Sequence, residues 1–201
     1  MFRLSCALAL MGILPLAAKA DVVVLQNLSA PNGSSISGDS NFSINFNTIS
    51  PTQLTSITLY NTRQNLSNPS ISWKLNSSTA QALSGSLNTN KTLINNGTSY
   101  YGYDFNLNNS SFITNNNATN TLSTTNLNTF VALSGWSIAG SGTVSSNSAL
   151  GFSNASYDQT SPNYNFELAA VPEPGTLALG ALAAIAGAVA WWWRQVWFPL
   201  G

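Results

Sequence analysis

The chain has 201 residues, six basic and six acidic side chains, no histidine and one cysteine. No excess of Lys or Arg is available to neutralise a phosphate backbone, which argues against nucleic-acid binding. Without histidine there is no Ser-His or Cys-His nucleophile pair and no imidazole to hold a transition metal, so the usual hydrolase and redox-metal chemistries drop out.

Residues 1–20 have the build of a cleaved export signal. Arg3 supplies the positive start, Leu4 to Leu16 an apolar run broken by Pro15, and Ala18-Lys19-Ala20 the small residues read by signal peptidase, so the mature chain is expected to begin at Asp21. Cys6 precedes the apolar run that should come before a lipidated cysteine, and its loss with the signal leaves the mature chain without a thiol.

Residues 21–170 suffice for one domain with a core of its own. Their charge is sparse: Arg63, Lys74 and Lys91 stand against Asp21, Asp39, Asp104, Asp158 and Glu167. Apolar residues recur with period two at Phe42-Ile44-Phe46, Ile57-Leu59, Ile71-Trp73-Leu75, Leu83-Gly85-Leu87, Tyr101-Tyr103-Phe105-Leu107, Leu127-Thr129-Val131-Leu133 and Tyr164-Phe166-Leu168. That period marks half-buried strands. Pro31-Asn32-Gly33, Ser50-Pro51, Asn68-Pro69 and Asn95-Asn96-Gly97 read as breakers between them, and no helical stripe intervenes. The expected fold is all-β, an antiparallel β-sandwich of jelly-roll type, with a β-solenoid as the alternative although no fixed-period repeat supports it.

Few residues of this domain are candidates for chemistry. The acids are scattered, and Asp104, inside the aromatic run Tyr100-Tyr101-Gly102-Tyr103-Asp104-Phe105, reads as a half-exposed sheet residue rather than one of a catalytic pair. Asp39-Ser40-Asn41 reads as a hydrogen-bonding turn rather than a calcium loop, and no metal or other cofactor is expected. Aromatic side chains remain as candidates for stacking on sugars: Trp136 and Tyr101, with Trp73 assigned to the core by its alternation with Ile71 and Leu75.

Residues 171–201 are different. Pro172-Glu173-Pro174 fixes an extended, solvated segment, and residues 175–193 form an uncharged Ala/Leu/Gly run ending in Trp191, Trp192 and Trp193. As a helix, residues 177–193 would span roughly 26 Å, close to the ~30 Å hydrocarbon core of a bilayer. Arg194 and the tryptophans favour a transmembrane orientation with the chain end inside.

Triplet, helix and following Arg194 resemble the PEP-CTERM sorting signal of exported bacterial proteins. The resemblance implies that exosortase, a membrane-embedded cysteine transpeptidase-like enzyme, reads Pro172, Glu173 and Pro174 and removes the helix. Such signals usually end in a cluster of Arg or Lys, and here Arg194 stands alone. The opening of the domain, VVVLQNLSAPNGSSISGDSNFSINFNTISPTQLTSITLYNT, is similar to the choice-of-anchor group of exported β domains, type R in particular; that group carries no activity with it. The expected protein is a non-enzymatic component of the envelope or extracellular matrix, associated with exopolysaccharide. A carbohydrate-binding module or adhesin is the alternative, with ice binding and hydrolysis behind it.

Overall fold

The computed structural model describes residues 21–34, 41–67, 69–125, 135–159 and 161–171. The chain divides after Val171 into two units, and every described residue belongs to the first. Its strands are β1 (Val22–Asn27), β2 (Pro31–Ser34), β3 (Ser43–Thr48), β4 (Leu54–Asn61), β5 (Ser70–Leu75), β6 (Gln81–Asn95), β7 (Thr98–Asn106), β8 (Ala118–Thr124), β9 (Ser137–Ala139), β10 (Ser145–Ser146), β11 (Phe152–Tyr157) and β12 (Phe166–Ala170). Two three-residue 3-10 turns, Ser110–Phe112 and Ser148–Leu150, are the helical elements among the described residues. The fold is all-β with antiparallel sheets, as the two-residue alternation predicts.

Ten strands run in the order β10-β1-β12-β4-β7-β6-β5-β8-β3-β11, and β2 pairs with β9 in a small separate sheet. Strand β6 belongs to both halves of the long order. Its first residues, from Gln81 to Ser84, pair with β5, whereas Gly85 to Asn95 pair with β7. The halves on either side of β6 face each other: Phe42, just before β3, meets Phe166 of β12 with ring centroids 5.3 Å apart, and Trp73 of β5 meets Phe105 of β7 at 5.6 Å. Phe42, Ile44, Phe46, Ile57, Leu59, Ile71, Trp73, Tyr103, Phe105, Phe166 and Leu168 are all at most 1% exposed. Each such side chain contributes about 1.5–3 kcal/mol by leaving water, so the alternation seen in the sequence is the core itself.

Turn chemistry follows local rules. The β6–β7 hairpin closes through Asn96 and Gly97, both with positive φ (47° and 77°), the conformation that lets a two-residue turn match strand twist. The four described non-glycine residues with positive φ, Asn76, Asn96, Asn117 and Asn154, are all asparagines, whose short amide tolerates that region.

One expectation changes. Pro31-Asn32-Gly33, read as a breaker, is strand β2; Pro31 opens the strand, where its missing N–H is not needed, and a register shift follows before Gly33. Strands β8 and β11 were not marked by alternation, because Asn120, Thr124 and small residues take positions that apolar side chains hold elsewhere. The strand expected over residues 127–133 lies outside the described residues. So do the signal segment 1–20 and the apolar run 175–193; among the described residues no helix is long and apolar enough to cross a membrane.

Candidate functional site

Pairing registers bring Gln26, Glu167, Thr58, Asp104 and Ser86 side by side across β1, β12, β4, β7 and β6. Their chain neighbours Leu25, Leu168, Ile57, Leu59, Tyr103 and Phe105 are core residues. Side chains alternate along a strand, so this polar row lies on the opposite, outer face.

Lys91 reaches the row from a bulge. Between the pairs Asn88↔Gly102 and Thr92↔Tyr101, β6 carries three extra residues, Thr89, Asn90 and Lys91. A Cβ on Gly102 would come within 2.7 Å of the Lys91 Cβ and 3.1 Å of the Thr58 Cγ2, so only glycine lets the lysine stem cross this point. The Lys91 Nζ lies 2.8 Å from Glu167 Oε2, donates to Thr58 Oγ1 at 2.8 Å and stands 4.0 Å from Asp104 Oδ1. Thr58 donates to Asp104 Oδ1, Asn88 Nδ2 donates to Asp104 Oδ2 at 2.7 Å, and the Tyr60 hydroxyl donates to Glu167 Oε1. Burial, then the hydrogen bond to the Glu167 carboxylate and the charges of Glu167 and Asp104, drive the Tyr60 phenol far above its ordinary value.

Sequence reading singled out Asp104 alone; its half-exposed place in a sheet is as expected, with 29% of its side chain accessible. Lys91, Glu167, Thr58 and Tyr60 escaped notice because only the sheet order brings them to it. Beside the cluster is an open hollow of about 320 Å³, lined by Asp21, Thr55, Ser86, Asp104, Asn106 and Asn108 among others. A second, of about 360 Å³, follows the edge of β1 past Val23, Val24 and Asn147 and has no charged lining. Among the described residues no three His, Cys, Asp or Glu side chains gather as a metal-binding group.

The two aromatic candidates are placed differently. Trp136 is 0% exposed, packed 6.3 Å from both Tyr103 and Phe105, and an indole face that solvent does not reach cannot stack on a sugar. Its proposed glycan contact is therefore corrected to a core role. Tyr101 is half-buried and packs against the core. Trp73 is 0% exposed, as its alternation required, and no aromatic side chain among the described residues is fully exposed.

The remaining candidates, Ala18, Ala20, Pro172, Glu173, Pro174 and Arg194, lie outside the described residues. What leads up to the triplet is described. Strand β12 ends at Ala170, the Val171 N–H donates to the Gln53 carbonyl at 3.0 Å, and Pro172 follows at once. Residues 170–195 match the PEP-CTERM protein-sorting motif. The PEP-CTERM motif implies an exported, envelope-targeted protein that exosortase processes, and Pro172, Glu173, Pro174 and Arg194 all fall inside the matched span. The match begins at the last residue of β12, so the choice-of-anchor resemblance of the domain's opening has no support from it. No curated protein and no solved structure matches the chain.

Proposed function

We propose that the chain is an exosortase-sorted component of the envelope or extracellular matrix, made with a cleaved signal peptide, held in the inner membrane by residues 175–193 until processing, and without catalysis of its own. The β domain is a jelly-roll-like sandwich that serves as a durable module within exopolysaccharide. The observation that carries this reading is the PEP-CTERM match at residues 170–195, starting where the last described strand stops. The polar face supports the non-catalytic part: every oxygen of Asp104 and Glu167 already accepts from Thr58, Asn88, Tyr60 or Lys91. A glycosidase needs one carboxyl to give a proton and its mate free to face the sugar ring or a water. The burial of Trp136 removes one of the two aromatic contacts on which the adhesin alternative rests.

Replacing Pro172-Glu173-Pro174 by alanines leaves the apolar length unchanged and so preserves insertion. In cells with exosortase the variant is expected to accumulate as a larger, membrane-bound species while the wild type loses its C-terminal segment. Equal masses in the membrane fraction for both would make the segment a permanent anchor and overturn the sorting role.

A further inference from the structure

We propose that the end of the domain from which the chain departs, formed by residues 48–53 and 107–117, docks on the head-group surface of a lipid bilayer. The inference rests on the reading of residues 175–193 as a membrane segment, and names the surface the domain meets while that segment is in place. Val171 is the last described residue, and Pro172, Glu173 and Pro174 alone separate it from Gly175, where the uncharged run begins. Four residue steps reach at most about 14 Å. The head-group layer on one side of a bilayer is roughly 5–8 Å thick, so this end of the domain stays within roughly 10 Å of the head groups.

The side chains at this end suit that surface. The Val171 N–H donates to the Gln53 carbonyl at 3.0 Å and Gln53 bridges on to Ile113, so the chain exit and Ile113 flank one residue. The two loops are tied together next to it: the Thr114 N–H donates to the Thr52 carbonyl at 3.0 Å, the Thr52 N–H to Thr114 Oγ1 at 2.9 Å, and Thr114 Oγ1 to the Ser50 carbonyl at 3.3 Å. From this frame Ile113 projects 45% exposed and Ile49, just before Ser50, 67% exposed, with Pro51 exposed as well. Exposed apolar side chains grouped in this way mark a contact surface. Residues 48–53 and 107–117 hold no charged side chain, so no ion has to shed water as the end approaches lipid. Asp21, beside the pair Val22↔Ala170, is an acid at this end, and it is exposed and keeps its hydration at the rim. Ile94 provides the contrast. It is 73% exposed but pairs with Ser99, seven residues along β7 from Asn106, the partner of Ser56, and so lies about 23 Å towards the other end.

The test uses the full chain from cells without exosortase, carrying Cys6→Ser, in phosphatidylcholine vesicles with a nitroxide on some of the head groups. A fluorophore is attached at Ile49→Cys, Ile113→Cys or Ile94→Cys, three exposed positions where a label does not disturb the core. Quenching at residues 49 and 113 is expected to be at least about threefold stronger than at residue 94, given the length of β7 between the two ends. Ile113→Asp should weaken quenching at residue 49 about twofold, because a carboxylate resists leaving water. Equal quenching at all three positions overturns the docking, and so does quenching at residue 49 that ignores Ile113→Asp, since the short link alone would then hold the end near lipid. Fluorescence at residue 113 that falls with protein density in vesicles without nitroxide would make a second copy the occupant and refute lipid. A chain that fails to float with the vesicles after an alkaline wash refutes the membrane reading of residues 175–193 itself, whereas flotation without preferential quenching refutes the docking alone.

Discussion

The outer face around Lys91 and the interior around Asn120 solve the same problem by different means. On the outer face, charged groups with part of their surface in water are tied across four strands through Thr58 and Tyr60. In the interior, Asn120 of β8 is 0% exposed and uses an uncharged amide. Its Nδ2 donates to Thr48 Oγ1 at 3.1 Å and to the Ala118 carbonyl at 3.1 Å, while its Oδ1 accepts from the Asn115 N–H at 2.7 Å and from Asn76 Nδ2 at 2.9 Å. Asn165, also 0% exposed, does likewise, donating to the Ser29 carbonyl at 2.8 Å and accepting from Ser137 Oγ at 2.8 Å. A buried amide that meets all its partners avoids the several kcal/mol that desolvating an ion costs, which explains how a chain with 6% charged residues can fix so many strands.

Alkali should break both regions and has the largest expected effect. Tyr60 sits in the charged cluster, while Tyr157 receives a hydrogen bond from Asn27 Nδ2 at 3.0 Å and donates to the Tyr164 carbonyl. Burial raises the phenols of Tyr60, Tyr157 and Tyr164 above their ordinary value of 10.0. Sites held neutral when folded but ionised when unfolded contribute fully below about pH 10 and lose that contribution as pH rises beyond it. Tyrosinate absorbance from these three should therefore appear together with loss of the β-sheet circular dichroism. Smooth titration at constant ellipticity would contradict their burial.

Asn120→Ala comes next. It empties a buried site and takes the partner from Thr48 Oγ1 and from the half-exposed Asn115 N–H and Asn76 amide, and denaturant melts should show a loss of about 2 kcal/mol. Lys91→Met keeps most of the stem over Gly102 and removes the charge; it should cost about 1 kcal/mol, since partly exposed pairs are worth little. The smallest effect sharpens the contrast. Raising salt to about 1 M shortens the screening length to about 3 Å and should shrink the Lys91→Met difference while leaving the Asn120→Ala difference unchanged. Equal salt dependence for both would show that charge does not distinguish the two regions.

The same contrast sets what the sequence makes legible. Strands β3, β5, β7 and β12 announce themselves because their inward positions are Phe, Ile, Trp, Tyr and Leu, and Asn96-Gly97 announces its turn because little else accepts two positive φ angles in succession. Strand β8 hides because Asn120 and Thr124 take inward positions beside Leu122, and an amide counts as polar until its partners are known. Trp136 reads as a sugar contact for a related reason. Its partners Tyr103 and Phe105 come from a strand far away in the chain, and the flanking Gly135 and Ser137 show no period. Lys91 and Glu167 carried no signal at all, since neither a three-residue bulge nor a strand order is written in local composition. The sorting motif was legible at once, because it is read as an extended peptide and a hydrophobic length rather than as a folded surface.

Strand β12 is flanked on one side by β1 and on the other by β4, with Val22 opposite Ala170 and Leu54 opposite that same residue. A ribosome makes β1 first and β12 last of the described strands, so the middle of this layer is the final piece to be synthesised. Until Phe166–Ala170 emerges, β1 and β4 have no neighbour between them and Phe42 has no Phe166 to pack against. A chain stopped short of this strand lacks the piece that joins β1 to β4. The strand that closes this layer is also the one at whose last residue the sorting motif begins.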